Sequence, residues 1–166
     1  MPDLSASSAA NRPEAIALVL RENLAELNAL VAVMATDELE MRAAPDEWSV
    51  REILLHVIHA ERWVQPQLLE LRLAVDLEGE SPAIGGVTLP DTEANADLNE
   101  LRWALNVVRE DTLRLLEGLV PAQLREPANV EVADELIDIS FRTMVLTVAD
   151  HQLFHVHQIA RTLRHD

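Results

Sequence analysis

The chain has 166 residues, 49% of them apolar and 3% aromatic, which is enough for one domain with its own hydrophobic core. Its 29 acidic and 13 basic residues give a formal charge of −16, which argues against binding to nucleic acid or to an anionic membrane surface. Because there is no cysteine, disulfides, thiolate metal ligands and a thiol nucleophile are excluded.

The N-terminal region lacks the pattern of a signal peptide, and no apolar run approaches the ~18–20 residues of a membrane-spanning helix. We therefore expect a cytoplasmic protein. Residues 1–11 are predicted to form a flexible tail and residues 12–166 a single domain. The first helix of that domain is predicted to begin at Asn11, which has Glu14 three residues later as in a capping box. Its apolar residues recur at helical spacing to about Ala35.

The second predicted helix has the clearest start. Ser49 is followed three residues later by Glu52, which is the pattern of a capping box. Trp48 precedes this cap and is predicted to act as a hydrophobic staple in the core. The helical pattern runs to about residue 75, and Pro66 predicts a kink or a break within it.

Residues 78–91 carry three of the four glycines and no helical pattern, so they are predicted to form a long crossover. A third helix follows, with Asp91 or Thr92 as its predicted N-cap. Gly118 is expected to end it.

The fourth predicted helix has Asp138 or Ser140 as its N-cap and continues to about Leu163. Residues 119–139 before it are mixed in character, and no alternating strand pattern is apparent, so no sheet is expected. The predicted fold class is all-α, a four-helix bundle with the long crossover between its second and third helices.

Histidines provide the main functional signal, within the segment HQLFHVHQIARTL. His151 and His155 are four residues apart, so on a helix they project from one face and can share a metal ion. His56 lies on the second predicted helix, and facing helices of a bundle are a recurring place for metal sites. Three histidine ligands would leave an open, Lewis-acidic site. The alternative is that these histidines are hydrogen-bonded residues of the core.

Two further residues are candidates for catalysis. His59 lies near the same helix face as His56, where it is a partner of a ligand, a fourth ligand, a general base or a histidine at the rim of the pocket. Glu52, one turn before His56, is a candidate for orienting a ligand or moving a proton. His157 points away from the pair on the fourth helix, and His165 is terminal, so neither is assigned a role.

Several enzyme classes lack their signatures in this sequence. The histidine pair does not form HExxH, because Gln152 occupies the position at which a zinc peptidase carries its general-base glutamate. There is also no GxSxG nucleophile elbow, no P-loop and no GxGxxG.

Two segments resemble the DinB/YfiT-like superfamily. Its members carry W-S-x-x-E-x-L-x-H at the start of the second helix and H-x-x-x-H, often followed by Gln-Ile, in the fourth. Here WSVREILLHVIHAE and ADHQLFHVHQIARTL match these patterns. The matching residues are Trp48, Ser49, Glu52, Leu54, His56, His151, His155, Gln158 and Ile159.

The resemblance implies a four-helix bundle that holds a divalent metal, usually zinc or nickel, with His56, His151 and His155. It also implies a homodimer. Relatives in this superfamily include metal-dependent thiol S-transferases, which use a low-molecular-weight thiol, and a thiol-dependent maleylpyruvate isomerase.

Three functions remain open from the sequence. The first is a metal-dependent enzyme acting on a small molecule, either a thiol S-transferase or a hydrolase. The second is a non-catalytic binding or stress-response protein. The third is a metal-free structural homodimer of the same fold.

Overall fold

The computed structural model describes residues 12–73, 95–132 and 135–164. Four long helices form a bundle, as predicted: α1 (Pro13–Ala32), α2 (Val50–Leu73), α3 (Leu98–Glu117) and α4 (Phe141–Thr162). Two short 3-10 helices, Thr36–Glu40 and Gln123–Arg125, lie in the connections. None of the helices in the described ranges combines the length and apolar character of a membrane span.

Helices α2 and α4 lie side by side. Each of α1 and α2 packs against both α3 and α4, so α1 and α2 occupy opposite corners of the bundle. Pro66 lies inside α2, which continues to Leu73. The crossover predicted at residues 78–91 falls within 74–94, outside the described residues.

Serine side chains begin the two helices that carry the histidines. In α2 the Ser49 hydroxyl accepts from the Glu52 backbone N–H at 3.2 Å, and the Ser49 N–H donates to the Glu52 carboxylate at 2.7 Å. This capping box is the one predicted. Ser140 caps α4 by accepting from the backbone N–H three residues later at 3.1 Å. In α1 the N-cap is Arg12 rather than the predicted Asn11, and its side chain makes no capping bond.

The predicted start of α3 was wrong. Its N-cap is Asp97, whose carboxylate accepts from the backbone N–H groups of Asn99 and Glu100, and the Glu100 side chain accepts from the Asp97 N–H. Asp91 and Thr92, the predicted caps, lie outside the described residues. The complete box at Asp97 satisfies more of the free N–H groups of the first turn than a lone cap can.

The prediction that the chain has no sheet was also wrong. Strands β1 (Pro127–Val132) and β2 (Glu135–Ser140) pair antiparallel, with Pro127 opposite Ser140 and Val132 opposite Glu135. The sequence does alternate here, as V-E-V and then I-D-I, but over too few residues to stand out. A lone hairpin is marginal in water, and this one contacts α4.

The core of the bundle consists of two apolar clusters with a polar layer between them. One cluster contains Leu20, Leu68, Leu116 and Val145, and the other contains Leu27, Ile53, Leu105 and Ile159. In each helix a buried polar side chain lies between the residues of the two clusters: Asn23, Glu61, Arg109 and Gln152. Arg109 is fully buried and Glu61 is 4% exposed, so this layer places charge at the centre of the fold.

The capping box at Ser49 predicts a stability effect. Ser49→Ala removes the acceptor of the Glu52 N–H, and we expect it to lower the free energy of unfolding by about 1 kcal/mol. Urea denaturation monitored by circular dichroism measures the change. Thr147→Ala, at an exposed position in α4, is the control and should leave stability unchanged or slightly raised. Equal stability of the Ser49 variant and the wild type would contradict the capping role.

Candidate metal centre

Three histidine side chains from α2 and α4 meet at one point. The Nε2 atom of His151 lies 2.9 Å from Nε2 of His56 and 3.0 Å from Nε2 of His155. One ligand nitrogen from each ring lies within 4.8 Å of the other two. The structure therefore brings together residues that are 95 positions apart in the sequence.

A glutamine fixes the tautomer of one of these rings. The Nδ1 atom of His155 donates to the Gln158 side-chain oxygen at 2.7 Å. Since a neutral imidazole carries one proton, Nε2 of His155 then presents its lone pair to the centre of the cluster. Metal-binding histidines are commonly oriented by a bond of this kind on the nitrogen opposite the metal.

The three rings cannot satisfy one another by hydrogen bonding alone. The Nε2 atom of a neutral imidazole has either one proton or one lone pair, and His151 Nε2 faces two other ring nitrogens. At most one of those contacts can be a well-formed hydrogen bond. A cation that accepts a lone pair from each nitrogen would satisfy all three.

Burial keeps the three imidazoles neutral. Burial, with smaller effects from the nearby His155 and His56, lowers the pKa of His151 from 6.5 to about 4. Burial also lowers the pKa of His56 and of His155, and in His155 the bond to Gln158 opposes the shift. At neutral pH each ring therefore carries one proton and keeps a lone pair on its other nitrogen, as metal binding requires.

These pKa shifts predict that the metal-free protein loses stability in mild acid. Because the folded-state pKa is lowered, the unfolded chain binds more protons below pH 6.5, and stability falls as the pH drops from about 6.5 to about 4. The thermal midpoint in chelator across this range measures the loss. His151→Gln should lose less stability over the same interval. Parallel curves for the two proteins would contradict the assignment of the loss to His151.

A pocket of about 620 Å³ opens beside His56 and also contacts His59 and Trp48. The predicted core position of Trp48 is wrong, because its side chain is 45% exposed. Its ring centroid lies 4.7 Å from that of His56 and 6.2 Å from that of His155. Trp48 directly precedes Ser49, within the loop that the backbone bridge between Arg42 and Ser49 closes, and its indole lies against the histidines.

Charged side chains of the pocket wall are paired with one another. The Glu52 carboxylate accepts from the Ser49 backbone N–H at 2.7 Å and from Arg42 at 2.8 Å, and these bonds lower the pKa of Glu52. Arg51 donates to Glu40 at 2.8 Å and also to a backbone carbonyl just before α3. Glu52 is thus an ionised structural group that holds the start of α2.

The other histidines occupy different environments. His59, which is 8% exposed, is a buried residue of the pocket wall rather than of its rim. It does not belong to the group of three whose ring nitrogens converge, so the structure offers no fourth histidine ligand there among the described residues. His157 is exposed on α4, and His165 lies outside the described residues.

Three residues that contact the histidines or the pocket wall were not predicted as site residues from the sequence. Trp48 and Gln158 matched the family pattern but had no assigned role at the site, and Arg42 had no signal of its own. Gln158 lies three residues after His155 on a helix, which places it in contact range, so spacing was a usable signal for it. Arg42 reaches Glu52 from a connection without regular pattern, which no spacing rule covers.

Comparison with known proteins agrees with the fold. The family model of the DinB superfamily matches residues 20–159. YfiT from Bacillus subtilis, described as a probable metal-dependent hydrolase with an unusual four-helix bundle topology, aligns with a TM-score of 0.68 and 20% identity, over 91% of this chain and 87% of YfiT. A DinB-like protein of Bacillus subtilis, YjoA, aligns with a TM-score of 0.62 and 15% identity, over 90% of each chain. No curated protein matches the chain.

The two solved structures share the fold of this chain at low sequence identity, whereas the family model spans most of the sequence from α1 to α4. The resemblance carried by the Trp-Ser and histidine motifs is thereby confirmed. The chain belongs to the DinB superfamily.

Proposed function

We propose that the chain is a metal-dependent hydrolase of a small molecule, with a divalent ion held by His56, His151 and His155. The observation that carries the proposal is the convergence of three neutral imidazoles beside a pocket of about 620 Å³. The likeness to YfiT, itself described as a probable metal-dependent hydrolase, supports the choice of hydrolysis.

The donor set fits a divalent transition metal. Nitrogens bound to one ion at ~2.0–2.1 Å lie ~2.9–3.4 Å apart for angles between about 90° and tetrahedral. The two separations from His151 Nε2, 2.9 and 3.0 Å, fall at the lower end of this range, and the three ligand atoms all lie within 4.8 Å of one another. Three nitrogen ligands suit zinc or nickel, and the metal's identity stays a prediction.

A metal with three protein ligands supplies Lewis-acid chemistry at its open positions, which activates water and polarises the bond to be cleaved. The residues of the chain provide the surroundings. Gln158 orients His155, and Trp48 covers one side of the cluster and offers an apolar surface to a substrate. The Glu52 carboxylate is engaged by Arg42 and both ring nitrogens of His59 are buried, so neither candidate is assigned a role in moving a proton.

The proposal is tested in two stages. Elemental analysis of the purified protein and of chelated, reconstituted protein is expected to find about one divalent ion per chain. Absence of metal, or unchanged uptake by His56→Ala, would instead favour the metal-free structural role.

Metal-loaded protein is then assayed on ester, amide and phosphoester substrates, with and without a low-molecular-weight thiol and an electrophile. Thiol consumption without hydrolysis would indicate a thiol S-transferase, and neither reaction would indicate a binding protein. The implied homodimer also stays a prediction, for which sedimentation is the measurement.

Gln158 provides a further prediction. Gln158→Ala removes the acceptor of the His155 Nδ1 proton, and we expect about a 10- to 100-fold weaker affinity for zinc in a chelator competition. Gln158→Glu keeps an acceptor oxygen and should retain most of the affinity. The control is Gln65→Ala, since Gln65 donates to Val108 and Thr112 away from the histidines. Wild-type affinity in Gln158→Ala would show that this bond does not support a ligand.

A further inference from the structure

The fully buried Arg109 connects its own helix, α3, to the other three helices through one guanidinium group. From α3 its Nε and Nη2 atoms donate to the two carboxylate oxygens of Glu61 on α2, at 2.7 and 2.8 Å. Nη2 also donates to the side-chain oxygen of Gln152 on α4, and Nη1 donates to the Leu20 carbonyl on α1. One side chain thus contacts every other helix of the bundle.

The partners of Arg109 are close in sequence to the three histidines. Glu61 lies five residues after His56 on α2, and Gln152 directly follows His151 on α4. Although α3 carries none of the three histidines, its arginine connects the two helices that do. The hydrogen bonds of Arg109 therefore join α2 to α4 at a second position, in addition to the contacts between the histidines themselves.

Small rotations of α4 would disturb the cluster. An imidazole Nε2 lies roughly 7 Å from its helix axis, so a rotation of about 8° moves it by about 1 Å. Sites of this kind must hold their side chains to within about 0.5 Å. Apolar side chains of similar volume can repack, whereas a two-bond arginine–carboxylate fork has a defined plane and direction. The fork to Glu61 holds the Arg109 guanidinium in a fixed orientation relative to α2, and that guanidinium then donates to Gln152 on α4.

Stability alone does not account for this layer. Removing two charges from water is costly, and apolar replacements of a buried ion pair are often neutral or stabilising. The Nε2 atom of Gln152 is buried and has no hydrogen-bond partner among the described residues, which adds a further cost. An apolar layer at this level would join the two core clusters without these penalties.

We propose that Arg109, Glu61 and Gln152 are positioning residues, which set the rotation of α4 relative to α2 and so the spacing of the three imidazoles. This inference rests on the proposed metal function. The buried polar layer would thus control the spacing of the three imidazoles, a role separate from that of the residues that contact the histidines directly.

Gln152→Leu is the first test, because it removes the contact of α4 while the Arg109–Glu61 pair remains. Wild type and variant are loaded with cobalt(II), whose visible spectrum reports ligand geometry. Affinity is measured by chelator competition. We expect about a 10-fold or greater loss of affinity and an altered cobalt spectrum, with the metal-free thermal midpoint near that of wild type.

A matched control uses another polar contact between helices. Asn28 on α1 and Asn106 on α3 hydrogen-bond to each other at 2.9 Å, and neither helix carries one of the three histidines. The double variant Asn28→Ala/Asn106→Ala should lower the thermal midpoint but leave cobalt affinity and spectrum unchanged. This control therefore distinguishes a loss of fold stability from a loss of cobalt affinity.

A triple variant provides an independent test with no charge left in the layer. In Glu61→Met/Arg109→Met/Gln152→Leu we expect a folded protein with weakened cobalt affinity and an altered spectrum. Wild-type affinity and spectrum in Gln152→Leu or in the triple variant would overturn the inference while the proposed metal function stands. If the wild type itself binds no metal, the proposed function fails and the inference fails with it.

Discussion

Replacing His151 with alanine is expected to lower the affinity for a divalent metal by at least about 100-fold, more than the loss of a supporting hydrogen bond would. His151 is the central ring, since its Nε2 is the atom within 3.0 Å of both other nitrogens. A 100-fold loss corresponds to about 2.7 kcal/mol of metal-induced stabilisation, or roughly 5–10 °C in thermal midpoint. Thermal denaturation with and without zinc measures this difference.

The control for this variant is on the same helix. His157 is exposed on α4, so His157→Ala removes an imidazole without touching the cluster. It should keep the full thermal shift on adding zinc. If both variants respond to zinc as the wild type does, His151 is not a ligand. If both lose the response equally, metal binds at exposed histidines instead.

Replacing Arg109 with methionine is expected to have the largest effect on stability, a loss of about 3–5 kcal/mol. The substitution leaves the Glu61 carboxylate buried and unpaired, and removes the bonds to Gln152 and to the Leu20 carbonyl. The thermal midpoint of the metal-free protein should fall by roughly 10 °C or more. Calorimetry in the presence of chelator measures the shift without a contribution from bound metal.

Two comparisons test the cause of that loss. Arg114→Met is on the same helix and removes an exposed ion pair with Asp111, so it should cost less than about 1 kcal/mol. The double variant Glu61→Met/Arg109→Met removes both buried charges and should regain most of the lost stability. A double variant as unstable as Arg109→Met would mean that lost packing, rather than an unpaired charge, causes the effect.

The sequence was most informative where the signal lies within one helical turn. The Ser49–Glu52 capping box predicted the start of α2 and thereby the position of His56 on it. The i, i+4 spacing predicted that His151 and His155 share a face of α4. The box formed by Asp97 and Glu100 is equally local, but Asp91 and Thr92 offer cap residues earlier in the chain, and the predicted start of α3 was therefore too early.

Errors arose where the environment of a side chain depends on distant residues. Trp48 has the position and apolar character of a staple, yet it lies half-exposed against His56. Nothing near Arg109 in the sequence indicates burial, since arginine is almost never fully buried unless it is paired, and its partner Glu61 is 48 residues away. The hairpin of β1 and β2 also depends on distant residues, because a lone hairpin is only marginally stable and this one packs against α4.

The sequence by itself determined the four-helix bundle and the helix face on which each candidate histidine lies, because periodicity and capping are local properties of the chain. Only the tertiary structure decided that the three Nε2 atoms converge, that Trp48 and the pocket adjoin them, and that a buried ion pair spans the middle of the core. These features depend on how α2, α3 and α4 pack. Helix packing is set by the summed burial of many side chains and by charge pairs between distant residues, so it cannot be inferred from any one segment.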